Sequence, residues 1–261
     1  MTFHDRLFVR VPGGLAPTPY ALELGRRLTP LLGALVDVVR DAGSFDPDAR
    51  ARAFVLGMSD DVEAFVMPEL VASLRASHPQ VRLQVRQTNR YVVARMLDDG
   101  DIDLALAVAA GERVAHRSEP LFSSGYVVLF DPAQVDVATP LGLEDFLRFP
   151  HVLISFDGRR GIVDDALDTR GLTRTIATST THFAGAVPLL KAFPSVATVP
   201  EHAGRVFARD AGLATSPPPL DMTPTTVSLL WHTTRTGDPA HTWLRERVRV
   251  AVAEALRRGR S

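Results

Sequence analysis

Ala53-Phe54-Val55-Leu56-Gly57-Met58-Ser59-Asp60 is the stretch on which the fold turns. Ala53 to Met58 is a short apolar run without alternation, as expected of a strand covered on both faces. Ser59 or Asp60 then offers a side-chain oxygen that caps a helix. That helix runs to about Ser77 with Phe65, Leu70 and Leu74 on its inner side, and Pro68 disturbs its first half. Val81-Arg82-Leu83-Gln84-Val85-Arg86 alternates apolar and polar residues and reads as a half-buried strand. A second helix is predicted over 91–97. Asp103-Leu104-Ala105-Leu106-Ala107-Val108 is another strand buried on both faces. Strand, helix, strand, helix, strand implies a parallel sheet with right-handed crossovers.

Downstream the pattern repeats. Phe122 to Phe130 reads as one long strand. A second α/β series follows, with helices over 142–147, 162–169, 184–192 and 201–209 and strands over 152–156, 174–178 and 196–199. Ser216-Pro217-Pro218-Pro219 is a turn or an extended connection. Val227-Ser228-Leu229-Leu230-Trp231 is a further strand, and Asp238-Pro239 caps and starts a helix to about Arg257. Two α/β lobes joined by two long strand crossings result.

Upstream, Leu7, Phe8, Val9 and Val11 form a short strand, Pro12-Gly13-Gly14 turns the chain, and Thr18-Pro19 opens a helix over 18–42. Leu24, Leu28, Leu31, Leu35 and Val38 recur at spacings of four and three, a coiled-coil seam of about two heptads. Pro30, Gly25 and Gly33 weaken the same helix, proline by about 3 kcal/mol and each glycine by about 1 kcal/mol. The helix therefore needs a partner along its apolar stripe; one from a second subunit is expected, the alternative being packing on the core of its own chain. The loop Gly43-Ser44-Phe45-Asp46-Pro47-Asp48 separates it from the α/β region.

Phe8, Arg10, Gly14, Leu15 and Thr18 fill a Phe-x-Arg-x-x-x-Gly-Leu-x-x-Thr pattern. This stretch resembles the wing and linker-helix entry of LysR-type transcriptional regulators. The run Val11-Pro12-Gly13-Gly14-Leu15-Ala16-Pro17-Thr18-Pro19 is most like the NodD-like branch. Met67-Pro68-Glu69-Leu70, then Leu74-Arg75 and Pro79, then Leu97, Gly100 and Ile102-Asp103-Leu104-Ala105 continue the resemblance through the chain. The resemblance implies a two-lobed, type 2 periplasmic-binding-protein-like α/β effector domain preceded by a long linker helix. It divides the chain into a wing remnant at 1–17, a linker helix at 18–45, lobe I at 51–125 with 226–261, and lobe II at 126–225. DNA-reading helices lie upstream of such a wing, so the chain is expected to lack most of the winged helix-turn-helix. DNA contact would then pass through the missing N-terminal domain of a full-length form, with Arg6 and Arg10 touching phosphates weakly. A homodimer or homotetramer is expected.

Composition removes other classes. The chain has 261 residues, 46% of them hydrophobic, and a net charge of −1, so no overall basic field draws it to nucleic acid. Cysteine is absent, which excludes disulfides and thiol catalysis. No apolar run reaches membrane-spanning length and no secretory signal opens the sequence. A cytoplasmic location is expected. Hydrolase, nucleotide-binding and zinc-protease motifs are missing, and Asp98-Asp99-Gly100-Asp101 lacks the rest of a calcium loop. No metal, no cofactor and no enzymatic activity are expected.

The candidate site is positional. In open parallel sheets ligands lie beyond the carboxyl ends of the strands. Those ends carry Ser59, Asp60 and Thr88 in one lobe and Ser155, Phe156, Thr181, His182, Phe183 and Pro200 in the other. Phe122 and His232 are placed near the crossings. Ser59 and Thr181 also suit helix capping without any ligand. The helix that follows Thr181 favours an anion at its N-terminus, whereas Asp60 and Asp61 repel one across the cleft. A small aromatic molecule with one carboxylate or phenolic group fits this set, in agreement with the aromatic compounds sensed by the NodD-like branch. The reading is the effector-sensing and oligomerising part of a LysR-type regulator; the alternative is a solute-binding protein of the same fold.

Overall fold

The computed structural model describes residues 5–41, 45–48, 52–109, 111 and 113–259. The side chains at 34 and 36–41, Val38 of the seam among them, lie outside the described residues, as do Gly43 and Ser44 of the expected loop. The chain divides into two compact units, Met1–Asp46 and Pro47–Ser261.

The first unit is a hairpin and a helix. Strands β1 (Phe8–Val11) and β2 (Gly14–Pro17) pair antiparallel, Phe8 opposite Pro17 and Val11 opposite Gly14. Gly13 and Gly14 turn at φ 109° and 139°, where a side chain is strained. The sequence reading lacked β2, because Gly-Leu-Ala-Pro carries no alternation. Thr18 caps helix α1 (Pro19–Asp41): its Oγ1 accepts the N–H of Ala21 at 3.1 Å and donates to Asp5 Oδ1 at 2.7 Å. Pro30 sits inside the helix. Leu28, Leu31 and Leu35 of the seam are exposed, Leu31 at 66%. Arg6 and Arg10 are exposed on the hairpin segment.

The second unit holds two five-stranded sheets, each the centre of a lobe. In the first lobe, β3 (Arg52–Met58) lies between β4 (Val81–Gln87) and β5 (Leu104–Val108), all parallel. Beyond β5 come β12 (Thr225–His232) and the edge strand β6 (His116–Ser124), giving the order β4-β3-β5-β12-β6. β12 runs antiparallel to both neighbours. Helix α2 (Asp60–Ser77) and helix α8 (Pro239–Arg258) cover one face, where Phe54, Leu56, Leu70, Leu74 and Leu244 are buried. Helix α3 (Val93–Asp98) covers the other, packing Val93, Met96 and Leu97 with Ile102, Ala105 and Leu230. Burial on both faces explains the unbroken apolar runs.

In the second lobe the order is β11 (Ala214–Ser216), β7 (Tyr126–Phe130), β10 (Val196–Pro200), β8 (His151–Ile154) and β9 (Ile176–Thr180). β7 shows the two-faced burial residue by residue. Val128 and Phe130 pack with Phe146, Val163 and Leu167 from α4 (Leu143–Arg148) and α5 (Ile162–Asp168). Leu129 points the other way, into Ala186, Leu190, Ala203 and Phe207 from α6 (Phe183–Ala192) and α7 (Glu201–Ala211).

The expected single strand over 122–130 is two strands in two different sheets. The break is Gly125, between Ser124 and Tyr126, and it is the first crossing between lobes. The second crossing enters β12 beside it: Ser124 pairs with Thr225 and Ser123 with Thr226. Ser123 Oγ and Thr226 Oγ1 are 2.9 Å apart, and the Tyr126 and Thr225 hydroxyls are hydrogen-bonded. The two crossings are thus laced side by side, as a hinge requires.

One buried histidine in each lobe accepts from an arginine. His151, fully buried, donates through Nε2 to Phe146 O at 2.8 Å and faces Arg174 Nη1 through Nδ1 at 3.3 Å. Arg174 is held in turn by both oxygens of Asp164, at 2.8 and 2.9 Å. His241 repeats the motif with Asp103 O at 2.7 Å and Arg245 Nη1 at 2.7 Å. Burial first, and the Arg174 charge second, push His151 down to about 4. His241 is pushed down by burial and by Arg245. A histidine lowered in the folded state gains its proton only on unfolding as pH falls below 6.5. Stability is therefore expected to fall between pH 6.5 and 5, by up to about 1.4 kcal/mol per pH unit for each such group. Urea unfolding across that window checks it, and His151→Asn should flatten the slope.

Candidate functional site

The loops that leave the parallel strands of the two sheets meet each other. In the first lobe β3 passes through Ser59 into α2, whose first turn carries Asp60, Asp61 and Glu63, a charge pattern suited to a helix N-terminus. Ser59 stands at the N-cap but its side chain makes no capping hydrogen bond. Asp60 reaches the other lobe instead. Its Oδ2 accepts the N–H of Ala184, in the first turn of α6, at 2.8 Å, and its Oδ1 lies 3.8 Å from His182 Nδ1. One carboxylate is thus shared by the positive ends of two helices.

Asp61 makes a second cross-lobe contact. Its Oδ2 is 3.4 Å from Nε2 of His202, near the start of α7, with the two side chains only 7% and 5% exposed. His202 Nδ1 lies 2.9 Å from Ser124 Oγ, which also accepts the His202 backbone N–H at 3.3 Å. The His202 ring packs against Phe65 at 5.3 Å and Phe122 at 5.2 Å. Ala64 of α2 packs on the apolar cluster of the second lobe.

A third meeting is aromatic. Tyr91, beyond β4, and Phe156, beyond β8, lie 6.0 Å apart at 39°, although they remain 71% and 64% exposed. Asn89 Oδ1 accepts the Tyr91 N–H at 2.9 Å and shapes that turn. Ser155 shapes the facing loop: its hydroxyl lies 3.0 Å from Asp157 Oδ1 and 2.8 Å from Arg160 O, and its N–H donates to Thr180 O at 3.0 Å. The Arg159 N–H, then the Ser155 hydroxyl, hold the Asp157 carboxyl below its ordinary range.

Several buried polar atoms here make no hydrogen bond within the protein: Asp60 Oδ1, Asp61 Oδ1, Thr88 Oγ1 and His202 Nε2. Thr88 is 1% exposed. Leaving such atoms buried and unpaired costs about 1–3 kcal/mol each. Unsatisfied groups of this kind are few in a settled core, and here they gather between two lobes.

The structure brings some of the sequence-selected residues together and separates others. Asp60 and His182 meet, and Phe183 follows as the first residue of α6, half-buried against the second-lobe core. Thr181 is exposed beside them, and the helix N-cap is His182, not Thr181. Ser155 and Phe156 stand on the facing loop. Pro200 is the N-cap of α7, paired with Tyr126 at the hinge. Phe122 is 8% exposed and belongs to the aromatic packing around His202, so it offers no open surface. His232 is at the far end of the first-lobe sheet. β12 runs antiparallel to β5, so its last residue sits beside the start of β5, 5.8 Å ring to ring from His116. The anion position at the start of α6 is also corrected: the protein's own Asp60 holds the Ala184 N–H. Ser124, His202 and Tyr91 were not singled out by sequence, and Asp61 was read only as a charge that repels an anion, since no local spacing links residues so far apart. Among the described residues, no three His, Cys, Asp or Glu side chains gather as a metal site.

Two α/β lobes on paired crossings, touching through their strand-end loops, define a hinged small-molecule-binding fold. The chain belongs to the LysR family: residues 48–253 match the model of the LysR substrate binding domain. It is 30% identical to the HTH-type transcriptional activator NagR of Ralstonia sp over 243 residues, 93% of this chain and 81% of that protein. It is 29% identical to the HTH-type transcriptional activator NahR of Pseudomonas putida, covering 94% of this chain and 82% of that one. The crystal structure of the regulatory domain of MexT, a transcriptional activator in Pseudomonas aeruginosa, superposes with a TM-score of 0.69 at 30% identity, over 76% of this chain and 99% of that domain. The second unit is therefore the effector-binding domain of a LysR-family transcriptional regulator with a type 2 periplasmic-binding-protein-like fold. A free-standing solute-binding protein is not favoured, and the likeness to the NodD-like branch has weak support. Among the described residues no helix is long and apolar enough to cross a membrane.

Thr88 yields a direct test. Thr88→Val keeps the shape and removes an unpaired hydroxyl, so the ligand-free chain should lose no stability in thermal unfolding. A ligand that uses this hydroxyl should bind Thr88→Val more weakly, by about 1 kcal/mol.

Proposed function

We propose that this chain senses a small aromatic molecule, with one carboxylate or phenolic group, in the cleft between its lobes and so controls transcription. One observation carries the reading: loops beyond β3 and β4 face loops beyond β8 and β9, through Asp60 with Ala184 and Tyr91 with Phe156. Ser59, Asp60, Thr88, Ser155, Phe156, Thr181, His182 and Phe183 line the proposed site, with Pro200 at its hinge. Residues 51–125 and 226–261 are assigned to lobe I and 126–225 to lobe II. Ligand binding biases the hinge between arrangements of the lobes.

Residues 1–17 are read as the end of a DNA-binding wing, with Arg6 and Arg10 as weak phosphate contacts, and 18–45 as a linker helix that joins subunits. The exposed Leu28, Leu31 and Leu35 supply its apolar face. DNA is reached through the helix-turn-helix part of the regulator, in the cytoplasm. No enzymatic role is proposed. The Ser124–His202–Asp61 row has the residue types of a hydrolase triad. However, Ser124 is 7% exposed, and its hydroxyl is engaged by the His202 N–H and lies 3.2 Å from Gly125 O.

Thermal shift against aromatic acids and phenols tests the ligand. A ligand at one hundred times its dissociation constant adds about 2.7 kcal/mol of stability. Thr181→Ala should weaken a hit by about 1 kcal/mol. No hit from either class, or full affinity in both Thr181→Ala and Ser59→Ala, overturns the proposed site. Sedimentation tests the helix: the whole chain should be oligomeric, and a chain beginning near residue 50 should dissociate more readily. A monomeric whole chain overturns that assignment.

A further inference from the structure

We propose that the first turn of α2 is a two-point latch that holds the lobes shut when no effector is bound. The idea rests on the two-lobe sensing reading above and supplies its resting state. Asp60 and Asp61 are consecutive, and each grips a different helix of the other lobe. Asp60 takes the Ala184 N–H at the start of α6, and Asp61 faces the His202 ring at the start of α7. The Asp60 point joins α2 to α6, whereas the Asp61 point lies beside the first crossing, where His202 also meets Ser124, so Asp60 is the contact that closes the cleft and Asp61 braces it next to the hinge. Ala64, one turn along α2, adds apolar contact with the second lobe.

The latch is built to release. Asp60 and Asp61 each leave one oxygen without a hydrogen bond, and His202 Nε2 lacks a properly directed one. A closed state that strands these atoms is shallow, because opening returns them to water. The α6 end of the latch gains from charge meeting a helix N-terminus, which an isosteric amide weakens and an alanine abolishes. Asp60→Asn should therefore open the lobes partly and Asp60→Ala further, with the Asp60→Ala, Asp61→Asn double variant the most open.

The absence of cysteine allows a direct measurement. Exposed Arg82 in the first lobe and Thr169 in the second are replaced, Arg82→Cys and Thr169→Cys, spin-labelled, and the distance distribution is read in the ligand-free full chain. The native latch should give one narrow distribution. The latch variants should give longer, broader ones in the order just stated. Amide exchange at Ala184 is the second readout. It should be protected in the native chain and exchange at least tenfold faster in Asp60→Ala, with the core of β7 still protected to show that the lobes stay folded. An unchanged distance distribution in the double variant, or unchanged Ala184 exchange in Asp60→Ala, overturns the latch. Lobes that separate in a chain that binds no aromatic probe leave the latch standing and remove the ligand reading. A thermal-shift hit with lobes insensitive to Asp60 does the reverse.

Discussion

One carboxylate lies between the N-termini of two helices, and the arrangement of the lobes depends on it. Asp60 opens α2 and, across the cleft, accepts the first-turn N–H of α6. Each helix presents unpaired N–H groups and a partial positive charge at that end. Without an anion between them, these two ends would face each other unfavourably. With Asp60 there, each helix meets a negative charge. Asp61 extends the contact by one residue onto α7 through His202. The cleft is thereby closed by polar contacts at strand-end loops and not by a continuous apolar core.

Each lobe has its own apolar core, and Ala64 of α2 packs on the second-lobe cluster. β7 divides its side chains between two clusters, both within the second lobe. The first-lobe core is built on β3, β5 and β12, with α2 and α8 on one face and α3 on the other. Close-packed clusters of this kind have low compressibility. The crossings at Gly125 and Thr225 pair side by side, so a change of lobe angle is taken up by a few residues there. Arginine–histidine pairs buried within each lobe, His151 with Arg174 and His241 with Arg245, stiffen the lobes further. They also tie that stiffness to neutral imidazole.

Much of this was legible in the chain. The unbroken runs at Ala53–Met58 and Asp103–Val108 mark strands covered on both faces, and the alternation at Val81–Arg86 marks a half-buried one. Thr18-Pro19 and Asp238-Pro239 mark helix starts through side-chain oxygens that the structure uses, Thr18 to Ala21 and Asp238 to Ala240 and His241. These signals are local: period, capping chemistry and the fixed φ of proline act within a few residues.

The parts hidden from the sequence all involve distant partners. The run from Phe122 to Phe130 reads as one strand interrupted by Ser123-Ser124-Gly125, and no local signal says that Gly125 hands it from one sheet to another. His232 follows a strand, but only the antiparallel pairing of β12 with β5 sends that strand end away from the cleft. Asp60 is legible as a strand-end site candidate and Asp61 as a charge beside it, but only the approach of α6 and α7 gives them partners in the other lobe. The sequence by itself determined the elements, their two-faced burial and the family pattern, because periodicity and capping are short-range. Tertiary structure decided which strand ends face each other and which charges meet, because strand order and lobe closure bring together residues that local patterning cannot relate.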